Sequence, residues 1–228
     1  MVRLNKHLKD LGICSRRQAD EFIANGYVLV NGKVVTEMGC KVDPDNDVVT
    51  VTAKVDEAIS GFRYVLLNKP VGYVCSKSTL DGKNIFELLP EIKNLTYAGR
   101  LDKDSHGLLI LSSDGKFVYI VAASEFPKEY VVRVNKPITK NFLIQQGNGS
   151  IRLDNKQLKQ AIVEQVDDFT YKIILTEGVN RQIRRMAENQ GYIVTDLKRI
   201  RINQISDTSL KIGSWRDLTS QEVSTFLE

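Results

Sequence analysis

One stretch of sequence decides the fold: Ala98-Gly99-Arg100-Leu101-Asp102-Lys103-Asp104-Ser105-His106-Gly107-Leu108-Leu109-Ile110-Leu111-Ser112-Ser113-Asp114-Gly115. Its first half is small and polar and carries the carboxylate of Asp102, whereas its second half is an apolar run that ends at Asp-Gly. This pattern predicts a loop that leads into a buried strand, with a turn after it. A carboxylate on such a loop is well placed for chemistry in a cleft, but Asp also commonly caps turns. The stretch alone leaves both interpretations open.

The composition is that of an ordinary globular protein. The chain has 228 residues, enough for one or two domains, of which 42% are hydrophobic and 26% charged. No apolar run approaches the roughly 20 residues of a membrane helix, and no apolar segment typical of a signal peptide follows the N-terminal charges. Three widely spaced cysteines without a CxxC pair predict neither disulfides nor a zinc site. We therefore expect a cytoplasmic protein that uses no metal.

The positive charge is concentrated in two places. The net charge is only +4, but residues 1–41 carry seven basic against four acidic side chains, and residues 179–201 carry six against two. Two separated basic segments favour a polyanion that contacts the protein at both of them. The alternative is that they are solvated helix faces, as many charge runs are.

The first fifty residues predict a compact unit of two helices and a small sheet. Ser15 stands three residues before Gln18, which is the capping-box pattern of a helix start. Arg16 and Arg17 would lie in the first turn of that helix, where the positive helix end disfavours cations unless an external anion binds there. Asn31-Gly32 between two apolar runs predicts a hairpin.

These residues resemble the alpha-L RNA-binding module, also known from ribosomal proteins of the S4 type. The resemblance rests on Arg3-Leu4, Gly12, Ser15-Arg16, Ala19, Gly26, Val28, Val30-Asn31-Gly32 and Val35, in that order. It implies binding to structured RNA through phosphate and shape contacts. The implied RNA-binding residues are Arg3, Lys6, Arg16, Arg17 and Lys33.

The remaining residues predict a second, larger domain. Residues 54–61 show no periodicity and predict a linker between an RNA-binding domain at 1–53 and a catalytic domain at 62–228. The larger domain has many short strands, including a return strand at 71–76, and a few helices, one of them over residues 181–190. We predict an α+β fold with a mostly antiparallel mixed sheet.

Four motifs of the second domain resemble the RsuA-like family of pseudouridine synthases, which join the same RNA-binding module to a catalytic domain. The motifs are Asn68-Lys69-Pro70-Val71-Gly72, then Gly99-Arg100-Leu101-Asp102 with Ser105 and Gly107-Leu108-Leu109, then Lys128-Glu129-Tyr130, and Gly178-Val179-Asn180-Arg181-Gln182-Ile183-Arg184-Arg185-Met186. Lys136-Pro137-Ile138-Thr139 and Gly213-Ser214-Trp215-Arg216-Asp217-Leu218 are most similar to the RluF-like branch, which acts on large-subunit ribosomal RNA.

The resemblance implies an RNA pseudouridine synthase that needs no cofactor. Such enzymes break the N1–C1′ bond of a uridine, turn the uracil and rejoin it through C5. Asp102 matches the essential aspartate, which could attack C1′ as a nucleophile or remove a ribose proton as a base. Both routes stay open.

The resemblance also implies roles around Asp102. Arg184 would lie beside Asp102 and keep it ionised, or simply contact phosphate. Tyr130 would stack on the flipped uracil, or serve as a core aromatic, or both. Arg100 would contact phosphate or fill the gap left by the flipped base. The Lys69-Pro70 pair would brace the floor of the site.

Other residues near these motifs receive lesser roles. Arg181 and Arg185 would bind RNA, whereas Asp104 and His106 would stabilise the loop or the surface. We expect a monomer without an obligate protein partner that modifies ribosomal RNA, most plausibly 23S. The alternatives are 16S ribosomal RNA, transfer RNA, or a non-catalytic RNA-binding assembly factor.

Overall fold

The computed structural model describes residues 1–76, 82–92 and 94–227, with the backbone alone for residues 57–60. The helices are α1 Leu4–Asp10, α2 Arg16–Ala24, α3 Ala53–Ser60, α4 Ile85–Leu88, α5 Gly115–Ala123, α6 Lys140–Gly147, α7 Gln182–Glu188 and α8 Ser220–Ser224. The strands are β1 Val2–Arg3, β2 Val28–Val30, β3 Lys33–Val34, β4 Lys41–Val42, β5 Val49–Val51, β6 Tyr64–Lys69, β7 Thr96–Ala98, β8 His106–Ser112, β9 Lys128–Val134, β10 Arg152–Leu153, β11 Lys156–Gln157, β12 Ile162–Gln165, β13 Thr170–Leu175, β14 Val194–Ile202, β15 Ile205–Ser206 and β16 Trp215–Asp217.

The N-terminal unit packs α1 and α2 against a small sheet. Its core holds Leu4, Leu8, Ile23 and Val28, all at most 1% exposed. The predicted capping box at the start of α2 is present, with both reciprocal hydrogen bonds between Ser15 and Gln18. The sheet has the strand order β3-β2-β5, and β2 and β3 form the predicted hairpin.

The segment at 54–61 is not the irregular linker that the sequence predicts. Most of it belongs to α3, and Val55 is fully buried in the N-terminal core. Among the described side chains of this helix, Val55 is the buried apolar one, and so short a segment carries too little periodicity to reveal a helix. The division into domains at 1–53 and 62–228 itself stays a prediction.

The N-terminal unit contacts the rest of the chain through the start of α5. The side chain of Gln18 donates a hydrogen bond to the carbonyl of Ser113 at 3.2 Å. The Lys9 ammonium lies 4.3 Å from the centre of the Tyr119 ring. At Gly115 a Cβ atom would lie 2.1 Å from the Cβ of Ser15, so this position has no room for a side chain.

The larger unit is built on one mixed sheet. Its strands follow the order β12-β13-β9-β14-β8-β6-β16, with β15 beside β14 and β7 beside β8. Among the described residues only β14 and β8 pair in parallel, so the predicted α+β fold with a mostly antiparallel sheet is confirmed.

Two predicted strands differ from the structure. Residues 71–76 do not form a return strand, because β8 and β16 already occupy both edges of β6. The two strands expected at 192–205 are largely one long strand, β14.

Alternation along the strands gives the sheet two apolar faces. Val65 and Leu67 of β6 pack into one core with α4, whereas Leu66 between them packs against Phe117 of α5 on the other face. The first face also carries the functional residues described below. Within the described part of the chain, no helix is long and apolar enough to span a membrane.

Candidate active site

A cavity of about 740 Å³ opens on the first face of the sheet. Four of the predicted site residues line it together, namely Arg100, Asp102, Tyr130 and Arg181. The other predicted residues are not part of its lining. They are Arg184 and Arg185 of α7 and the five basic residues of the N-terminal unit, Arg3, Lys6, Arg16, Arg17 and Lys33.

Asp102 lies on a loop whose backbone is held from below. Lys69, the last residue of β6, is 0% exposed, and its ammonium donates to the carbonyls of Asp102 at 3.0 Å, Ser105 at 2.7 Å and Pro70 at 3.0 Å. Burial lowers the pKa of Lys69, and the nearby carboxylates offset part of that shift. Lys69 therefore fixes the loop through main-chain contacts and leaves the Asp102 carboxylate, 30% exposed, facing the cavity.

The cation nearest to Asp102 is Arg181. Its guanidinium lies 3.8 Å from the Asp102 carboxylate and makes two hydrogen bonds of 3.1 Å to Asp104. Arg181 has a left-handed backbone, with φ at 49°, directly before α7. Such a conformation is uncommon outside glycine and often occurs at functional sites. Sequence reasoning assigned Arg181 only to general RNA contact, because the pairing across 77 residues has no local signal.

Arg184 does not lie beside Asp102, so its predicted partner is wrong. Its side chain is 7% exposed and contacts the Asp104 carboxylate at 3.4 Å. It also donates to the carbonyls of Asp104 at 2.8 Å and Val194 at 3.0 Å. The physical reason is that α7 points Arg184 inward beneath the loop, at the level of residues 104 and 105. Arg184 therefore ties the loop that follows Asp102 to β14.

Asp104 is the carboxylate that joins these two arginines, which confirms its predicted loop-stabilising role. Partial burial raises the pKa of Asp104, but the hydrogen bonds from Arg181 and the charge of Arg184 outweigh it and lower the pKa overall. His106, which follows, is also a structural contact, with Nε2 2.9 Å from the Asp196 carboxylate.

Tyr130 forms one wall of the cavity and also packs against both cores of this face. It is therefore a core aromatic that also lines the cavity, and its stacking on a flipped base stays a prediction. Tyr130 sits in β9 directly opposite Arg199 of β14. Arg199 lines the same cavity, together with Lys128. No site role was predicted for Arg199 or for Lys128 of the Lys128-Glu129-Tyr130 motif, although alternation along β9 places Lys128 and Tyr130 on one face.

The remaining predicted cations differ in their surroundings. Arg185 is held by two short hydrogen bonds to Asp154, at 2.8 and 2.7 Å. The five N-terminal cations are exposed, and none takes part in the ion pairs of the described residues. Over the described ranges, no three His, Cys, Asp or Glu side chains cluster in a way that could hold a metal ion.

Comparisons with known proteins match both halves of the chain. The family described as RNA pseudouridylate synthase matches residues 63–189, and the S4 domain matches residues 2–49. The dual-specificity RNA pseudouridine synthase RluF of Escherichia coli (strain CFT073) is 42% identical over 97% of this chain and 77% of that protein. The ribosomal small subunit pseudouridine synthase A of Pasteurella multocida is 31% identical over 99% of both chains.

Two further comparisons agree. The ribosomal large subunit pseudouridine synthase B of Pseudomonas aeruginosa is 34% identical over 99% of this chain and 62% of that protein. A crystal structure of a pseudouridylate synthase superposes with a TM-score of 0.73 and 29% identity, covering 99% of this chain and 100% of that one.

Proposed function

The chain belongs to the RNA pseudouridine synthase family, and we propose that it converts a specific uridine of ribosomal RNA, in the large-subunit 23S RNA, to pseudouridine with Asp102 as the reactive carboxylate. One observation carries this proposal: Asp102 faces a cavity beside Tyr130, on a loop that Lys69, Arg181 and Arg184 hold in place. A fixed carboxylate next to an aromatic wall is what the chemistry on a flipped base requires.

The proposed reaction rearranges the nucleoside without adding or removing atoms. The N1–C1′ bond breaks and its electron pair leaves with the uracil. Asp102 compensates at the sugar, either by bonding to C1′ or by taking the C2′ proton, and both routes are later reversed. After the base turns, C5 bonds to C1′, the proton on C5 is lost and N1 gains a proton. Arg181 lies 3.8 Å from the Asp102 carboxylate, so a positive charge faces the group that reacts by either route.

The base would enter the cavity by leaving its helix or loop. Tyr130 offers a face on which it can stack, an interaction worth about 1–3 kcal/mol per base. Arg100 is exposed at the rim of the cavity, where it would contact the phosphate next to the flipped nucleotide or fill the gap that the base leaves. These contacts would hold the uracil within reach of Asp102.

RNA capture is proposed for the N-terminal unit. Arg3, Lys6, Arg16, Arg17 and Lys33 are exposed cations of this unit, and none of them takes part in an ion pair among the described residues. Arg16 and Arg17 begin α2, whose N-terminal end adds its own positive potential. Arg181 and Arg185 would contribute less, because Asp104 and Asp154 already neutralise them.

The cavity would accept any flipped uridine, so its chemistry alone does not select the RNA. The names of the relatives record large-subunit, small-subunit and dual-specificity enzymes. Ribosomal RNA of the large subunit is proposed on the strength of the RluF similarity, with transfer RNA and 16S RNA as the alternatives to be tested. We further propose that the protein acts in the cytoplasm as a monomer without an obligate partner or cofactor.

The test is a map of pseudouridine in ribosomal and transfer RNA from cells with and without this protein. We expect one uridine, or a small set, to lose its modification in the deletion strain and to regain it when the purified protein acts on unmodified RNA. Asp102→Asn should abolish the reaction while RNA binding persists. Asp168→Asn, an exposed aspartate of a turn, is the matched control and should react like the wild type.

The same experiment separates an enzyme from a non-catalytic assembly factor. An assembly factor would bind RNA but leave the pseudouridine map unchanged. Residual wild-type turnover in Asp102→Asn would instead overturn the role of Asp102.

A further inference from the structure

A row of residues crosses four neighbouring strands, and the last two of its members, Arg199 and Tyr130, line the cavity. Lys69 of β6 pairs with Gly107 of β8, Gly107 pairs with Arg199 of β14, and Arg199 pairs with Tyr130 of β9. Residues in register on adjacent strands project to the same face, so Lys69, Arg199 and Tyr130 share the face of Asp102. Gly107 contributes no side chain to this row. A Cβ atom there would lie 2.2 Å from the carbonyl oxygen of Arg199, so the position has no room for one.

Two of these residues are buried cations without a carboxylate partner. Lys69 is 0% and Arg199 3% exposed, and neither forms an ion pair with the described residues. Burying an unpaired charge is costly, so such groups usually have a partner or a function. The hydrogen bonds of Lys69 to three carbonyls account for all its donors.

Arg199 is different, because part of its guanidinium is unused. Its Nε donates to the carbonyl of Leu108 at 2.6 Å, but its buried Nη2 has no acceptor among the described residues. Lys128, two residues from Tyr130 on the same face, adds a second cation to this wall, and the charge of Arg199 together with burial lowers the pKa of Lys128. The wall beside Tyr130 is therefore positive and has a free donor.

We propose that Arg199, with Lys128, forms the site that stabilises negative charge on the detached uracil. This inference rests on the proposed function. Directly opposite residues have Cβ atoms about 4.5–5.5 Å apart, so a base stacked on Tyr130 lies within reach of the Arg199 side chain. When the N1–C1′ bond breaks, its electron pair spreads over N1 and the two carbonyl oxygens of the base. A fixed cation in a site with little water stabilises that charge without reorganising.

An RNA phosphate is a less suitable occupant for this wall. Arg199 is almost fully buried, whereas the phosphates of a bound RNA stay near the rim. Only the extruded base enters far enough to approach the strands. The proposal therefore assigns Arg199 to the chemical step and not to RNA capture.

The test compares two leaving groups in single-turnover reactions. One transcript contains uridine, and the other is made with 5-fluorouridine triphosphate, whose fluorine withdraws electrons and lets the detached base carry its charge more easily. Because C5 of the fluorinated base has no proton to lose, the readout on both transcripts is the rate at which the starting nucleoside is consumed. We expect Arg199→Gln to lower this rate roughly 100-fold on uridine, and roughly 10-fold on 5-fluorouridine. The dissociation constant for the transcript should change less than about threefold.

Companion variants keep the result decisive. Lys128 is half-buried at the start of β9. We expect Lys128→Gln to lower the rate roughly tenfold on uridine, and by less on the fluorinated transcript. It decides the question if Arg199→Gln does not fold. Arg133→Gln, on the opposite face of β9, is the control and should react like the wild type.

Three results would overturn the inference. They are unchanged rates, equal losses on both transcripts, or weaker RNA binding at an unchanged rate. A wild-type protein that makes no pseudouridine would count against the proposed function instead.

Discussion

The two basic regions of this molecule use their charges in opposite ways. In the N-terminal unit, Arg16 and Arg17 are exposed at the start of α2 and have no acidic partner among the described residues. At the cavity, Arg181 and Arg184 both contact Asp104, and Arg185 is paired with Asp154. Free exposed cations attract a polyanion, whereas paired and buried ones hold a loop in place. The number of basic residues in a segment therefore does not measure how much charge it offers to RNA.

The largest expected effect comes from removing Arg184, the buried cation that fixes the loop after Asp102. Arg184→Met removes the hydrogen bonds from this buried guanidinium to the carbonyls of Asp104 and Val194. We expect a loss of about 2–3 kcal/mol in the free energy of unfolding, measured by urea denaturation, and a severe loss of pseudouridine formation because the Asp102 loop is released.

The matched control for Arg184 is Arg185→Met on the same helix. The Asp154 carboxylate of the Arg185–Asp154 pair is 70% exposed, so losing the pair should leave the free energy of unfolding nearly unchanged. If both substitutions lowered the free energy of unfolding equally, the contrast between the buried Arg184 and the exposed Arg185–Asp154 pair would be refuted.

The second largest expected effect concerns the affinity for RNA. Replacing both Arg16 and Arg17 by Gln should weaken RNA binding about tenfold at moderate salt and reduce the salt dependence by roughly 0.7–0.9 per lost phosphate contact. The folding free energy and the rate at saturating RNA should stay near the wild-type values. Binding titrations at several salt concentrations measure this.

Arg185→Gln tests the same idea from the other region. Because Asp154 neutralises Arg185, its loss should change RNA affinity much less than the loss of Arg16 and Arg17. A larger effect at Arg185 would mean that the pair opens to receive RNA.

The smallest effect is a pH dependence of stability at the cavity. The folded protein lowers the pKa of Asp104, so this carboxylate contributes stability above its unfolded pKa of about 4 and loses it as the pH falls through the lower folded value. The stability difference between wild type and Asp104→Asn should therefore be present at neutral pH and shrink on acidification below about pH 4. Thermal unfolding across this range tests it, and a difference that grew in acid would contradict it.

The sequence predicted what depends on local patterns. The capping box of Ser15 and Gln18 begins α2 as predicted, because a cap involves only three or four neighbouring residues. The loop-strand pattern after Asp102 is likewise present, with β8 fully formed from His106. The motifs also sufficed to place Asp102, Tyr130 and Arg100 around one cavity.

The sequence could not reveal what depends on distant pairing. Arg184 was expected beside Asp102, but the direction of α7 beneath the loop sets its contact with Asp104 instead. Arg199 became part of the site only through its register with Gly107 and Tyr130 on two different strands. The linker prediction failed for a similar reason, because α3 packs through Val55 into a core whose other members are distant in sequence.

The parallel pairing of β14 with β8 affects the order in which RNA binding and catalysis become possible as the chain folds. It joins Lys198 to His106 across more than ninety residues of chain, whereas the N-terminal unit closes its contacts within about fifty. Contacts that are distant in sequence form slowly, and chains fold from the N-terminus as they are synthesised. A nascent chain should therefore bind RNA well before the strands that carry the candidate active site have paired. RNA binding should therefore precede catalytic activity during synthesis of the chain, and a prematurely terminated chain would bind RNA without modifying it.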